Sequence, residues 1–406
     1  MKHAFVLMLT ALTMLLWVAA AGAEPPFYKA ELVFPLQDQH NHAAGIVECP
    51  NGDLLVSWYR GSGERSADDV AVYGARRRKG SQRWCEPFLM ADHPGFPDCN
   101  TCMMIDRQDR LWLFWPIILD NHWESCLTNY KISSHYTGDG CPRWDRERVM
   151  FLKPDDFSKE LIADAEKEAA NLPEFKSPAG KKLLEEFKQR ARSKLYQRLG
   201  WQPRCKPTIL PSGRILLPLY SDTFSIGIMA VSDDGGASWY ASKPLLGVGA
   251  IQPTVLRRND GTLVAYMREN GPKQHIRISQ SKDDGIHWGP VGVIELPNPG
   301  AGIDGVRLAN GHWLLIYNDT TRSRASLAAS LSHDEGRTWK WTRHLEKHRS
   351  GAYHYPAIIQ GRDGTIQLVY SYYVRRPAAA GKPGREGQSI KHVAVNEAWI
   401  QAGDEK

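Results

Sequence analysis

The chain has 406 residues, 42% of them apolar and 24% charged, with a formal net charge of +6. That apolar share supports a large buried core and excludes a disordered or collagen-like chain. Its longest basic block is only Arg76-Arg77-Arg78-Lys79, so no continuous cationic surface for nucleic acid is expected, while the net charge leans toward an anionic partner.

Residues 1–23 read as a secretory signal: Lys2 and His3, an apolar core from Ala4 to Ala20, and the small-residue site Ala21-Gly22-Ala23 before Glu24. The expected mature chain is 24–406, cut after Ala23 and secreted or periplasmic. No later apolar run is long enough to span a bilayer.

From there a unit recurs. A short apolar run, a turn and a second apolar run appear as NGDLLVSW at Gly52, QDRLWLFW at Asp109, SGRILLPLY at Gly213, DGTLVAYM at Gly261, NGHWLLIY at Gly311 and DGTIQLVY at Gly364. Between Gly213, Gly261, Gly311 and Gly364 the intervals are 48, 50 and 53 residues. Runs this short, bounded by Gly and Asp, read as antiparallel strands. A period near fifty with four strands per unit predicts an all-β fold, a six-bladed β-propeller. FYKAELVF, near the mature N-terminus, is expected to pair beside SIKHVAVNE and close the ring.

The pattern S-x-D-x-G-x-x-W fixes the register. It occurs at Ser232–Trp239, Ser281–Trp288 and Ser332–Trp339, with weaker remnants ending at Trp84 and Trp144. Ser and Asp side chains bond nearby backbone N–H groups, Gly supplies a permissive φ, and Trp buries a ring between sheets. Their aspartates are therefore scaffold. Between the second and third units, residues 154–199 break the pattern with a Lys/Glu/Ala/Leu-rich stretch carrying Leu184, Phe187, Ala191 and Leu195 at helical spacing. An inserted helical hairpin covering the rim is expected there. The seven cysteines leave at least one thiol unpaired within the chain, and Cys99-x-x-Cys102 has no second pair at zinc-site spacing.

Three such boxes at blade spacing resemble the sialidase (neuraminidase) superfamily of BNR/Asp-box repeat propellers, over nearly all of the mature chain. The chemistry of a propeller gathers where its inner strands begin, and those positions are polar here, including His40, His42, Arg204, Gln252, His354 and Tyr355, with Tyr220, Asp222 and Arg268 at the ends of second strands. The resemblance implies Tyr355, in YHYPAII, as nucleophile. It implies Arg60, Arg268 and Arg324 as holders of a substrate carboxylate, and Glu64, Asp68 or Asp69 as the acid/base. Gln252 stands where the family has a glutamate, and His40 or His42 where it has an arginine. The implied function is an exported enzyme hydrolysing the glycosidic bond of an acidic sugar. Its alternatives are a polysaccharide lyase pairing His42 or His354 with Tyr355 on a uronate, and a glycan-binding propeller without turnover. An acidic glycan is the expected partner, and no cofactor or metal is implied.

Overall fold

The structure, a computed structural model, describes residues 24–154, 156–375 and 386–404; the expected signal segment lies outside them. Six antiparallel sheets follow in chain order. Blade 1 holds His40–Glu48, Leu54–Gly61, Ala71–Arg77 and Phe88–Ala91, and blade 2 holds Cys102–Ile105, Leu111–Ile118, Cys126–Ser133 and Arg146–Val149. In blade 3 the inner strand is split, Trp201–Pro203 and Thr208–Ile209 both pairing with Ile215–Ser221, followed by Ile226–Ser232 and Tyr240–Ala241. Blades 4 and 5 run from Ala250–Arg257 to Gly292–Pro297 and from Asp304–Arg307 to Trp341–Lys347. Blade 6 consists of Gly351–Gln360, Ile366–Arg375 and Glu386–Val395, and its outermost strand is Tyr28–Leu32, antiparallel to Glu386–Val395. The N-terminal strand thus closes the ring where the sequence placed it.

The repeated turns explain why the chain breaks into blades. Gly52, Gly213, Gly261, Gly311 and Gly364 have φ between +84° and +94°, and Asp109 takes the same region in blade 2. Such a φ is nearly free for glycine alone, so each turn fixes where its second strand begins. The Asp boxes stabilise a second turn. In the first, Ser232 Oγ donates to Asp234 Oδ1 at 2.8 Å, and Gly236 N donates to Ser232 Oγ at 2.8 Å. Ser238, through its hydroxyl and then its backbone N–H, holds the Asp234 carboxyl down to about 2. Each box tryptophan wedges onto the preceding blade: Trp239 meets Trp112, Phe114 and Tyr130, and Trp339 meets Tyr266. These rings are half-buried rather than enclosed, because they seal the outer edge of each inter-blade core.

The insertion forms α1 (Phe157–Ala170), α2 (Pro178–Arg192) and α3 (Lys194–Arg198). Phe157, Leu161 and Ala191 pack with Trp201 and Phe224, so the hairpin extends the core of blade 3 outward. A short helix α4, Glu397–Ala402, follows blade 6. At the axis, buried Asp304 accepts from Lys206 Nζ at 2.8 Å, Thr254 Oγ1 at 2.8 Å and Ile358 N at 3.0 Å. One carboxylate therefore ties the inner strands of blades 3, 4, 5 and 6. All seven cysteines are free, five of them buried. No helix among the described residues is long and apolar enough to cross a membrane.

Candidate active site

The inner strands do not run straight into the mouth of the ring. Those of blades 1, 4 and 6 slip register at His42/Gly45, Ile251/Thr254 and His354/Ala357. At each slip one non-glycine residue sits at positive φ: Ala43 at 53°, Gln252 at 55° and Tyr355 at 48°. Asn100 does the same in blade 2, at 35°. A left-handed residue in a strand costs about 1–3 kcal/mol and persists where surrounding structure over-determines it. The effect is to break the strict alternation of side chains, so that His354 and Tyr355 both serve the same mouth.

There a cavity of about 240 Å³ is lined by His42, Glu64, Trp123, Tyr220, Asp222, Arg268, Arg324 and Tyr355. Tyr355 is its centre. The phenol oxygen accepts from Arg268 Nη1 at 3.0 Å and from Gln252 Nε2 at 3.2 Å. The Arg204 guanidinium lies 4.8 Å from the Tyr355 ring centroid and that of Arg324 5.9 Å. Gly302 backs the ring so closely that a Cβ there would fall 2.5 Å from Tyr355 Cδ1. The phenol is thereby held by packing and by donors aimed at its oxygen, the arrangement that stabilises negative charge developing there.

Two histidines flank it with different roles. Arg324 Nη1 lies 2.7 Å from His354 Nδ1. A guanidinium can only donate, so this nitrogen is the acceptor and the ring is neutral. Burial, then the charge of Arg324, pushes His354 down to about 3. His42 lies 4.5 Å from the Tyr355 ring, centroid to centroid. Its Nδ1 is 3.0 Å from Tyr373 Oη, and that hydroxyl donates to Asn41 O at 3.0 Å. The hydroxyl has one proton, so His42 Nδ1 carries the hydrogen and its Nε2 keeps a lone pair. Burial, reinforced by His354, His40 and the arginines, holds His42 well below its usual range.

Two carboxyls complete the wall. Glu64 Oε1 accepts from Tyr59 Oη at 2.7 Å, and its other oxygen pairs with Arg65 at 3.2 Å. Asp222 accepts from Gln202 Nε2 at 2.9 Å, in a chain that continues through Asn100 to Tyr220. Burial outweighs the Arg268 charge and raises Asp222 to about 6. A half-buried carboxyl shifted toward neutrality inside a cleft is the kind of group that transfers protons.

The structure therefore gathers His42, Glu64, Arg268, Arg324 and Tyr355 around one cavity, with Gln252 and His354 directly behind. It does not bring the other expected residues there. Tyr59 points to Glu64, so by strand alternation its neighbour Arg60 points the other way. The Arg60 guanidinium lies between the rings of Phe34 and Tyr73, at 4.7 and 4.8 Å, with Nε donating to Asn41. Asp69 accepts from Ser62 and shapes the loop, and Asp68 accepts from Asn121 at its exposed edge. His40 packs behind His42, its ring tilted against Tyr59 and edge-on to Tyr373. Conversely, Asp222, Tyr220 and Arg204 were visible as polar positions at strand ends, with nothing in the sequence to rank them. Trp123 sits in a short turn of blade 2 that no repeat signal marks.

A family model described as a BNR repeat-like domain matches residues 199–368. Comparison with curated protein sequences gives no match. Solved structures share the fold over most of the chain. A Dyadobacter fermentans protein of unknown function is 15% identical, with 90% of this chain and 98% of that one covered and a TM-score of 0.65. A leech intramolecular trans-sialidase complexed with 2,7-anhydro-Neu5Ac is 11% identical, with 92% and 71% covered and a TM-score of 0.66. The intramolecular trans-sialidase of Ruminococcus gnavus, in complex with oseltamivir carboxylate, is 12% identical, with 89% and 95% covered and a TM-score of 0.64.

Proposed function

We propose that this BNR-repeat propeller of sialidase fold is an exported glycoside hydrolase that removes a terminal carboxylate-bearing sugar from a glycan. The observation that carries the reading is Tyr355, a phenol at the cavity wall whose oxygen receives Arg268 and Gln252. Arg268 and Arg324 both face the cavity and supply the fork geometry a carboxylate needs. Each charge-assisted bond contributes roughly 1.5–3 kcal/mol. At about 240 Å³ the cavity is smaller than the roughly 300–1,000 Å³ of sites for drug-sized ligands, which suits one sugar unit and exo action.

In this scheme Tyr355 Oη attacks the anomeric carbon as the bond to the leaving oxygen breaks. Asp222 gives that oxygen its proton, and Glu64 takes the proton of the phenol. Water, deprotonated by Asp222, then attacks the glycosyl–tyrosine intermediate, and Glu64 returns the proton to Tyr355. Gln252 cannot accept a proton, so its part is to orient the phenol and, with Arg268, to stabilise its oxygen as it leaves. His42 Nε2 is available to accept from a sugar hydroxyl.

That same lone pair favours a second reading, β-elimination on a uronate, with His42 as base and Tyr355 as its partner. His354 is unsuited to that task because its Nδ1 is committed to Arg324. The deciding experiment presents the purified protein with a panel of sialosides and a panel of uronate polysaccharides, scoring released sugar and unsaturated-uronate absorbance separately. Released acidic sugar without unsaturated product supports the hydrolase. Unsaturated product alone replaces it with the lyase, and binding without either product makes the cleft a recognition site.

A further inference from the structure

The Asp boxes lie at the opposite end of the sheets from the cleft: in blade 4, Leu263 pairs with box residue Ser281 while Glu269, beside Arg268, pairs with Ala250. At that far end, three side chains from separate segments converge. His312 follows the turn glycine of blade 5, His333 is the second residue of the blade 5 box, and Glu397 opens α4. His312 Nδ1 lies 2.6 Å from Glu397 Oε1, and His333 Nε2 lies 3.4 Å from the same oxygen. The two imidazoles are stacked, with centroids 3.6 Å apart. Among the described residues this is the one group of three or more His, Cys, Asp or Glu whose ligand atoms all fall within 4.8 Å of one another.

The surroundings hold these atoms in place. Asn310 Nδ2 donates to Glu397 Oε2 at 2.7 Å, and Gln401 Nε2 donates to Oε1 at 3.0 Å. Gln401 Nε2 also lies 3.3 Å from His333 Nε2. An amide nitrogen can only donate, so His333 Nε2 is the unprotonated ring nitrogen, and a bound ion would take from Gln401 the lone pair it now holds. The amide bonds to Glu397 are outer partners of the kind on which metal-ligating carboxylates depend.

We propose that His312, His333 and Glu397 bind a divalent transition-metal cation of the zinc class, and that the ion clips α4 to blade 5. Two imidazole nitrogens and one carboxylate suit a borderline ion and disfavour Ca²⁺ or Mg²⁺, which take oxygen ligands. With metal–ligand distances of about 2.0–2.1 Å, neighbouring ligands on a tetrahedral ion stand about 3.3 Å apart. The His333–Glu397 separation already matches that, and the His312–Glu397 pair has to open by about 0.7 Å, exchanging a hydrogen bond for a shared ion. His333 is on the surface, which leaves a fourth position to water.

The structural consequence follows from α4. It comes directly after Glu386–Val395, the strand on which the ring closes, and anchors itself through buried Trp399 and Ile400. Arg343 of blade 5 stacks on Trp399 at 4.3 Å and donates to its carbonyl. An ion shared by His333 and Glu397 adds a link between segments far apart in sequence. The cleft is at the other end, so the ion is a fastener rather than a reagent.

The test is to strip the purified protein with EDTA, titrate it with ZnCl₂ by calorimetry, and follow the melting temperature. One equivalent should bind, and at hundredfold excess over the dissociation constant the melting temperature should rise by roughly 3–6 °C. His333→Ala, a change at an exposed position, and Glu397→Gln, which keeps the shape, should each melt like the parent in EDTA. Each should lose at least tenfold in zinc affinity and most of the thermal shift. Co²⁺ in place of zinc should give a visible spectrum of N/O coordination that His333→Ala lacks. Absence of saturable binding, or equal binding by parent and both variants, would overturn the site.

Discussion

At Asp222, burial in the cavity wall outweighs a nearby guanidinium and lifts the carboxyl to about 6, against an ordinary value of 3.8. The proton that the leaving oxygen needs is therefore available in mildly acidic solution and absent well above that. We expect kcat/KM to fall as pH rises through 6, and Asp222→Asn to lose about 10²–10⁴ in rate along with that limb of the profile. Stability has the same sign. The folded state binds the proton more tightly than the unfolded chain, so stability is lost as pH rises between about 4 and 6. Asp222→Asn should then gain up to about 2–3 kcal/mol at neutral pH and nothing below pH 4, checked by urea unfolding at both values. His354 acts oppositely. Held near 3 against an ordinary 6.5, it takes up its proton on unfolding, so its contribution is complete above 6.5 and is lost as pH falls toward 3. His40, His42 and His392 are depressed in the same direction. The melting temperature should drop steeply below pH 6, and His354→Gln, whose amide oxygen can still accept from Arg324, should remove about one proton from the uptake.

Among the elements, what the sequence announces is what repeats. Turn glycines and Asp boxes recur near every fifty residues because each blade needs the same positive φ and the same wedge, so blade number and register were readable without coordinates. Gly336 shows how tight that wedge is, since a Cβ there would meet Tyr266 Oη at 2.1 Å. The inner strands were half-readable. Gln252-Pro253 and Tyr355-Pro356 open two of them alike, and a residue before proline is already pushed out of the right-handed helical region. What the pattern could not carry is the side each neighbour faces after a register slip. Arg60 was placed by its position after a second strand, yet alternation sends it to Phe34 and Tyr73. Arg204, which underlies the Tyr355 ring, comes instead from the split inner strand of blade 3. Asp222 and Trp123 lie on connections of blades 3 and 2, which no period constrains. The ring-closing strand brings a prediction at this scale. Tyr28–Leu32 pairs along its length with Glu386–Val395, and Val33 and Phe34 are buried just beyond. Removal of residues 24–36 should cost several kcal/mol and lower the melting temperature by about 10 °C or more. An unchanged melting curve would place the closure elsewhere.

At the scale of the molecule, the ring behaves as a frame with two ends. One end collects the box turns, the box tryptophans and the proposed metal clip, all of which hold blades together. The other collects the register slips, three guanidinium groups within 6 Å of the Tyr355 ring or its oxygen, and the two carboxyls. Between them, buried Asp304 ties the inner strands of blades 3 to 6 together at the axis. In the proposed hydrolysis every catalytic step passes through one oxygen atom, that of Tyr355. The most direct test is Tyr355→Phe, assayed on whichever acidic glycan the parent enzyme turns over, with binding of the same glycan measured in parallel. The rate should fall at least about 10³-fold with affinity nearly unchanged, because the ring and both cavity-facing arginines remain. Turnover at the parent rate would contradict it.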